Sequence, residues 1–240
     1  MRAPFFTTPT EVVARMLEMA GTRADDFVVD LGAGDGRIVI RAAQAHGARG
    51  LGVDLDAALV AQARRNAALA GVADRVHFEV QDVLGTDLSP ASVVTLYLVP
   101  FLMERLEPRL LAQLRPGARV VSHAFALPNW PHDLAETVRL DRPHETQGDA
   151  SRIFLYVVPA QARGAWRAPG GWELQVRQNF QAIEVEAGRD GRPLEVQSAR
   201  LSGERIRISG SAFSFNGRVA AQRIMGELGG GAPLVFERAP

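Results

Sequence analysis

The sequence predicts a mixed α/β chain: a mostly parallel sheet with helices on both faces over residues 1–160, then a small antiparallel β domain over residues 161–240. Three observations predict it. Short apolar runs alternate with helix-period segments as far as Pro159. The early runs end in an acidic residue or a glycine, as buried parallel strands do before a crossover helix. Beyond Trp172 the helical period disappears and apolar residues alternate with polar ones.

The first helix follows Pro9, with Thr10 as its expected N-cap, Val12, Val13, Met16 and Leu17 on one face and Gly21 as its stop. Phe27 to Leu31 reads as the first strand and Arg37 to Ala45 as a helix closed by Gly47. Leu51 to Val53 is the second strand, and Asp56 caps a helix that runs to Ala70 and stops at Gly71. Arg75 to Val80 and Ser92 to Val99 are the third and fourth strands. The helix from Phe101 to Leu114 contains Pro108, which is expected to kink or divide it. Pro116-Gly117 turns into a fifth strand, Arg119 to Ser122, and two further strands fall near Ala135–Leu140 and Arg152–Val158. The total is a seven-stranded, Rossmann-like sheet.

Residues 160–171 read as a linker or edge rich in Gly, Ala and Pro. In the tail, Leu174/Val176, Leu194/Val196, Ile206/Ile208 and Phe213/Phe215 mark strands. Turns are expected at 188–191, Ser202-Gly203, Gly229-Gly230-Gly231 and, as a hairpin, Asn216-Gly217. The result is about 70–80 residues of antiparallel sheet, either a small barrel or a sheet packed on the first domain.

Composition narrows the chemistry. Across 240 residues, 47% are hydrophobic and 22% charged, in the ordinary globular range. The 27 basic and 27 acidic residues cancel, so a bulk electrostatic grip on nucleic acid is not expected. No cysteine is present, which excludes disulfides, Fe–S clusters, cysteine-ligated zinc and a cysteine nucleophile. All 27 basic residues are arginine, so Schiff-base and P-loop lysine chemistry is excluded too. No apolar run approaches the length of about 18 residues that a transmembrane helix needs, and Met1 to Thr10 lacks the pattern of a signal peptide. A cytoplasmic location without a membrane anchor is the expectation. The arginines of the tail, Arg205, Arg207, Arg218 and Arg223, are interleaved with Glu195, Glu204 and Glu227, which reads as a solvated sheet face.

The informative stretch is Val28-Val29-Asp30-Leu31-Gly32-Ala33-Gly34-Asp35-Gly36-Arg37. Glycines at Gly32, Gly34 and Gly36 let the backbone turn sharply between strand and helix. A dinucleotide fingerprint needs G-x-G-x-x-G, and here Arg37 stands where the third glycine belongs. Asp30 is a poor neighbour for a pyrophosphate and a good one for an ammonium or sulfonium group. The loop therefore favours S-adenosylmethionine over NAD. Asp54 lies 18 residues beyond Gly36, where a carboxylate can accept both ribose hydroxyls. Asp82 closes the third strand and can accept from an adenine amino group. Leu55 and Val83, the residues that follow these acids, complete the strand-end cofactor set. Each acid alone also fits a helix cap or turn; the three together after this loop favour the cofactor.

On these residues the sequence resembles the class I S-adenosylmethionine-dependent methyltransferases, over roughly residues 5–158. It is most similar to the mitochondrial lysine methyltransferases of adenine nucleotide translocase and the ATP synthase c-subunit and to their bacterial relatives. The resemblance rests on Phe6-Thr7-Thr8-Pro9-Thr10, the segment Asp30 to Val39, Val93 to Pro100, Leu114 to Ser122 and Phe125-Ala126-Leu127-Pro128-Asn129-Trp130. It implies that the Thr8 segment and the glycine loop hold the cofactor. Pro100 ends the segment that carries Asp/Asn-Pro-Pro-Tyr in many nucleic-acid amino-methylases; Leu98-Val99-Pro100-Phe101 departs from that pattern, so no nucleic-acid partner is expected. The implied acceptor is a protein lysine. A small-molecule acceptor and a non-catalytic binding scaffold are the alternatives.

The transfer itself needs alignment and exclusion of water rather than a metal. Tyr97 can accept a hydrogen bond from the acceptor amine or pack against it; a satisfied core tyrosine is the other reading. His123 can orient the acceptor or act as base, or be a buried histidine. Trp130 can wall the acceptor channel beside Pro100, or close its loop onto the sheet. His123, His132 and His144 match no local ligand motif, so no metal is expected.

Overall fold

The computed structural model describes residues 6–239, so the signal-peptide reading of Met1 to Thr10 falls partly outside the described residues. The chain divides into two compact units between Tyr156 and Val157. No helix among the described residues is long and apolar enough to cross a membrane.

The first unit holds α1 (Thr10–Met19), β1 (Phe27–Leu31), α2 (Arg37–His46), β2 (Arg49–Asp54), α3 (Ala57–Leu69), β3 (Val76–Val80), β4 (Val93–Leu96), α4 (Pro100–Gln113), β5 (Arg119–His123), β6 (Leu134–His144) and β7 (Gly148–Val157). They form one seven-stranded sheet in the order β3-β2-β1-β4-β5-β7-β6. The pairs β1–β2, β2–β3, β1–β4 and β4–β5 are parallel, and β6–β7 is antiparallel. All four residues of β4 are buried, as expected of a strand covered on both faces. The chain moves outward from β1 to β3, then returns to β4 beside β1. Right-handed crossovers therefore put α2 and α3 on one face and α4 on the other. On the first face α1 packs Val12, Val13, Met16 and Leu17 against Ile38 and Ala42 of α2 and against Val28, Val93, Val121 and Ile153 of the sheet. The reversal between β1 and β4 opens a crevice at their carboxyl ends, where such sheets bind ligands.

The second unit is one nine-stranded antiparallel sheet: β8 (Gly164–Ala168), β9 (Trp172–Asn179), β10 (Ala182–Arg189), β11 (Arg192–Leu194), β12 (Val196–Ser202), β13 (Arg205–Gly210), β14 (Ser214–Ala220), β15 (Arg223–Leu228) and β16 (Ala232–Arg238). Its order is β11-β10-β9-β8-β16-β15-β14-β13-β12. The terminal strand β16 pairs with β8, and the two edge strands are joined through Glu195 alone. The sheet curls as a barrel does around Trp166, Ile206, Ile208, Phe215 and Phe236. Outward-facing arginines pair with acids, as in Arg223–Glu237 at 2.9 Å and Arg218–Glu204, the solvated face that the charge pattern suggested.

Four expectations need correction. Pro9, not Thr10, occupies the N-cap of α1, and no side chain caps it. Helix α4 is not divided at Pro108 but runs through it; a proline removes one helical hydrogen bond, and buried Leu106, Glu107 and Leu110 hold the helix on both sides of it. Residues 160–171 are not simply a linker: Trp166 is fully buried there, donates its indole N–H to the Ala162 carbonyl at 2.8 Å and anchors β8. Asn216-Gly217 is not a hairpin but the middle of β14. Gly217 stands opposite Gly226, and a Cβ on Gly217 would lie 2.6 Å from the Phe215 ring. The glycine makes room for an aromatic ring, and the turn falls at Ala221, whose φ is 46°.

Candidate active site

The glycine loop begins where β1 ends. The amides of Gly32 and Ala33 both reach the Val53 carbonyl at 2.9 Å, and the Gly34 amide donates to Asp54 Oδ2 at 3.0 Å. Asp54 Oδ1 accepts from the Asp56 amide at 2.9 Å. The Asp54 carboxylate thus fixes the loop and keeps further acceptor capacity for hydroxyl groups. Gly36 has φ 82°, and a Cβ there would meet the Phe78 ring at 2.7 Å. It serves the close packing of the loop on β3 and α3.

Beyond Asp54, Leu55 is 51% exposed. Asp82 is exposed and accepts from the Leu84 amide at 2.9 Å, while Val83 is buried. Asp30, Asp54 and Asp82 stand at or next to the carboxyl ends of adjacent strands β1, β2 and β3. Each of the latter two also does the local work of a turn or cap.

Asp30 is buried, and Thr95 donates its hydroxyl to Oδ1 at 2.7 Å. Burial pushes its pKa up to about 7; Thr95 opposes this, while the carboxylates of Asp54 and Asp35 add to it. The corner is short of positive charge, because the nearby cation of Arg37 is committed. Arg37 pairs with Asp35 at 2.6 Å and also donates to the Thr8 carbonyl at 2.9 Å. A cationic sulfonium or ammonium group fits this chemistry; a phosphate does not.

Sequence reasoning missed the Asp35–Arg37 clasp. It straps the segment before α1 onto the glycine loop, and Asn66 on α3 donates to the Asp35 carbonyl at 2.9 Å. The register of the loop drew notice to Arg37 only as a missing glycine.

At the other side of the switch point, Tyr97 follows directly on β4 and is half-buried. Its ring lies 4.1 Å from that of His123, which is fully buried at the end of β5. His123 Nδ1 meets the Thr8 hydroxyl at 3.2 Å. Burial, then the charge of nearby His144, lowers the His123 pKa to about 4. A ring so held is neutral and a weak base near neutral pH; it buttresses Tyr97 and Thr8. Pro100 begins α4 and is exposed, next to Phe101, also exposed. Trp130 is buried, with its ring 5.3 Å from Tyr156. That packing holds its loop against β7. Thus Thr8, Tyr97 and His123 are brought together, and Trp130 is not among them. His132 packs against Phe154 and Tyr156, and no group of three or more potential metal ligands occurs among the described residues.

The sheet order, the switch-point crevice and the strand-end acids define a class I S-adenosylmethionine-dependent methyltransferase. The ANTKMT methyltransferase domain family matches residues 30–134. A protein-lysine N-methyltransferase of Saccharolobus islandicus (strain REY15A) is 41% identical over 157 residues, which cover 65% of this chain and 93% of that protein. The adenine nucleotide translocase lysine N-methyltransferase of Mus musculus is 35% identical, covering 68% of this chain and 71% of its own. The chain belongs to this ANTKMT-type family of methyltransferases, and it uses S-adenosylmethionine. A crystal structure described as an RNA methyltransferase from Salinibacter ruber, in complex with S-adenosyl-L-homocysteine, is 47% identical over 63% of this chain and 93% of its own, with a TM-score of 0.57.

Proposed function

We propose that the chain methylates the side-chain amine of a protein lysine. The observation that carries this is the placement of Asp30, buried in β1, and of Tyr97, half-buried directly after the adjacent strand β4. Asp30 favours the cationic end of the cofactor, and Tyr97 offers a hydrogen-bond acceptor to an amine N–H. The names of the Saccharolobus and mouse relatives support the same acceptor.

S-adenosylmethionine supplies a methyl group already activated on sulfur. In this reading Asp54 and Asp82 accept from its ribose and adenine, Leu55 and Val83 flank its base, and Thr8 with the glycine loop encloses its amino-acid end. Pro100 borders the acceptor's path. The acceptor must arrive as a neutral amine, although free lysine has a pKa of about 10.4. Desolvation beside a cationic donor lowers that value. Residues 1–160 would perform these steps; no step is assigned to 161–240.

The test is incubation with methyl-labelled cofactor and a cell extract, split into protease-treated, RNase-treated and untreated arms. Label recovered as methyl-lysine after acid hydrolysis supports the reading. The enzyme contains no lysine, so no methyl-lysine can come from its own chain. Label lost on RNase treatment supports an RNA acceptor, the second reading, favoured by the description of the Salinibacter structure. Label in the small-molecule fraction supports neither.

A further inference from the structure

The turn between β6 and β7 reaches back to Tyr97. The Gln147 side-chain amide donates to the Tyr97 hydroxyl at 3.2 Å, and the same hydroxyl meets Thr146 Oγ1 at 3.2 Å. Thr146 Oγ1 in turn meets His144 Nδ1 at 3.1 Å. His144 Nε2 faces the Thr7 carbonyl at 3.0 Å, and the Thr146 amide also points at Nδ1, at 3.3 Å.

The polarity of this run of hydrogen bonds follows from its ends. A carbonyl only accepts, so His144 Nε2 carries the proton. A backbone amide only donates, so Nδ1 is the bare nitrogen. Thr146 can then donate its hydroxyl proton to Nδ1, and Tyr97 can donate its own to Thr146. Gln147 occupies one acceptor site on the Tyr97 oxygen. A second acceptor site on that oxygen is left for an N–H at the switch point.

We propose that His144, acting through Thr146 and Tyr97, is the terminal base that takes the proton from the acceptor nitrogen. The proposal rests on the amine reading above. The ammonium N–H bond breaks and its proton moves to the Tyr97 oxygen, whose own proton passes to Thr146. The Thr146 proton passes to His144 Nδ1, giving a neutral amine and an imidazolium whose Nε2–H stays on the Thr7 carbonyl. After transfer, the methylammonium leaves and the half-buried His144 returns its proton to solvent. His123, buried and weakly basic, does not compete for that role. The titratable groups facing His144 are Tyr97 beyond β4 and His123 on β5. On α1, Glu11 is engaged by the Asp141 amide at 3.1 Å.

Two measurements on the full chain with bound S-adenosylhomocysteine or labelled cofactor test this. Nitrogen NMR of the histidine rings should show His144 as the Nε2–H tautomer, with its Nδ1 signal displaced in Thr146→Val. An Nδ1–H tautomer overturns the relay whatever the acceptor proves to be. The second measurement is the rate of methyl-lysine formation on the RNase-treated protein fraction as a function of pH. Wild type should level off at a lower pH than a variant that lacks the base. His144→Gln keeps a donor for Thr7 but lacks the base. It should be about tenfold to a hundredfold slower at pH 7 and close the gap as pH rises. Thr146→Val should behave alike, and Thr146→Ser should restore the wild-type profile. Variants slowed by one constant factor at every pH, or not slowed at all, overturn the proposal. If wild type labels RNA instead, the lysine reading falls and the tautomer still decides the relay.

Discussion

Arg37 binds two partners at once: the carboxylate of Asp35, two residues before it, and the backbone carbonyl of Thr8, 29 residues before it. One guanidinium thereby fixes the entry segment to the glycine loop. Replacing Arg37 by Leu should free the Thr8 segment. Charge-assisted bonds of this kind contribute about 1.5–3 kcal/mol each, here reduced by partial exposure. S-adenosylhomocysteine binding should weaken by roughly tenfold, with a modest drop in melting temperature. Calorimetric titration of the variant reads this directly, and unchanged affinity would show the clasp to be irrelevant to the cofactor.

Asp30 gives the site a pH dependence whose sign follows from its environment. Its folded pKa, about 7, lies above its ordinary value. Without ligand, the folded state prefers the protonated acid, and this contribution to stability is lost as pH rises from about 4 through 7. A cationic ligand prefers the carboxylate. Affinity for S-adenosylmethionine should therefore rise up to about tenfold per pH unit below pH 7 and level off above it. Binding near pH 6 should release a proton, visible in buffers of different ionisation enthalpy. Asp30→Asn should bind more weakly at pH 8 and show no such slope. Proton uptake in the wild type would contradict this assignment.

His123 acts in the opposite direction. Its folded pKa, about 4, lies below the usual histidine value. Between about pH 6.5 and 4 the unfolded chain binds the extra proton more readily, so stability falls as the solution is acidified through that window. The full loss is about 3 kcal/mol in order of magnitude. Urea unfolding at pH 7.5 and 4.5 should show it in wild type, and His123→Asn should remove this part of the difference.

Gly36 offers a purely steric test. Alanine there must hold a positive φ and place a methyl group against Phe78 and Ala63. The strain and clash should cost roughly 2–4 kcal/mol. Gly36→Ala combined with Phe78→Leu should recover part of the loss. A Gly36→Ala chain as stable as wild type would mean that the loop does not pack on β3.

The fold was largely legible because its signals are local. Apolar runs, capping by Asp56 and stops at Gly47 and Gly71 each report on their own segment, and the strand-end acids follow from where those segments end. What escaped depended on distant partners. Gly217 looked like a turn because nothing in its neighbourhood reveals Gly226 across the sheet. Trp166 hid in a stretch rich in small residues, although a lone tryptophan there was a usable sign of a buried strand. Arg37, Thr146 and His144 are ordinary surface residues by pattern. Their roles arise only when α2, the chain before α1 and the β6–β7 turn meet around β1 and β4.

The central claim is that the acids at the strand ends hold S-adenosylmethionine. Its most direct test is calorimetric titration of S-adenosylhomocysteine into wild type and Asp54→Ala. Micromolar binding to wild type, weakened tenfold or more in the variant, about 1.4 kcal/mol, is the predicted result. Equal affinity in the two proteins, or binding of NAD in place of S-adenosylhomocysteine, would contradict it.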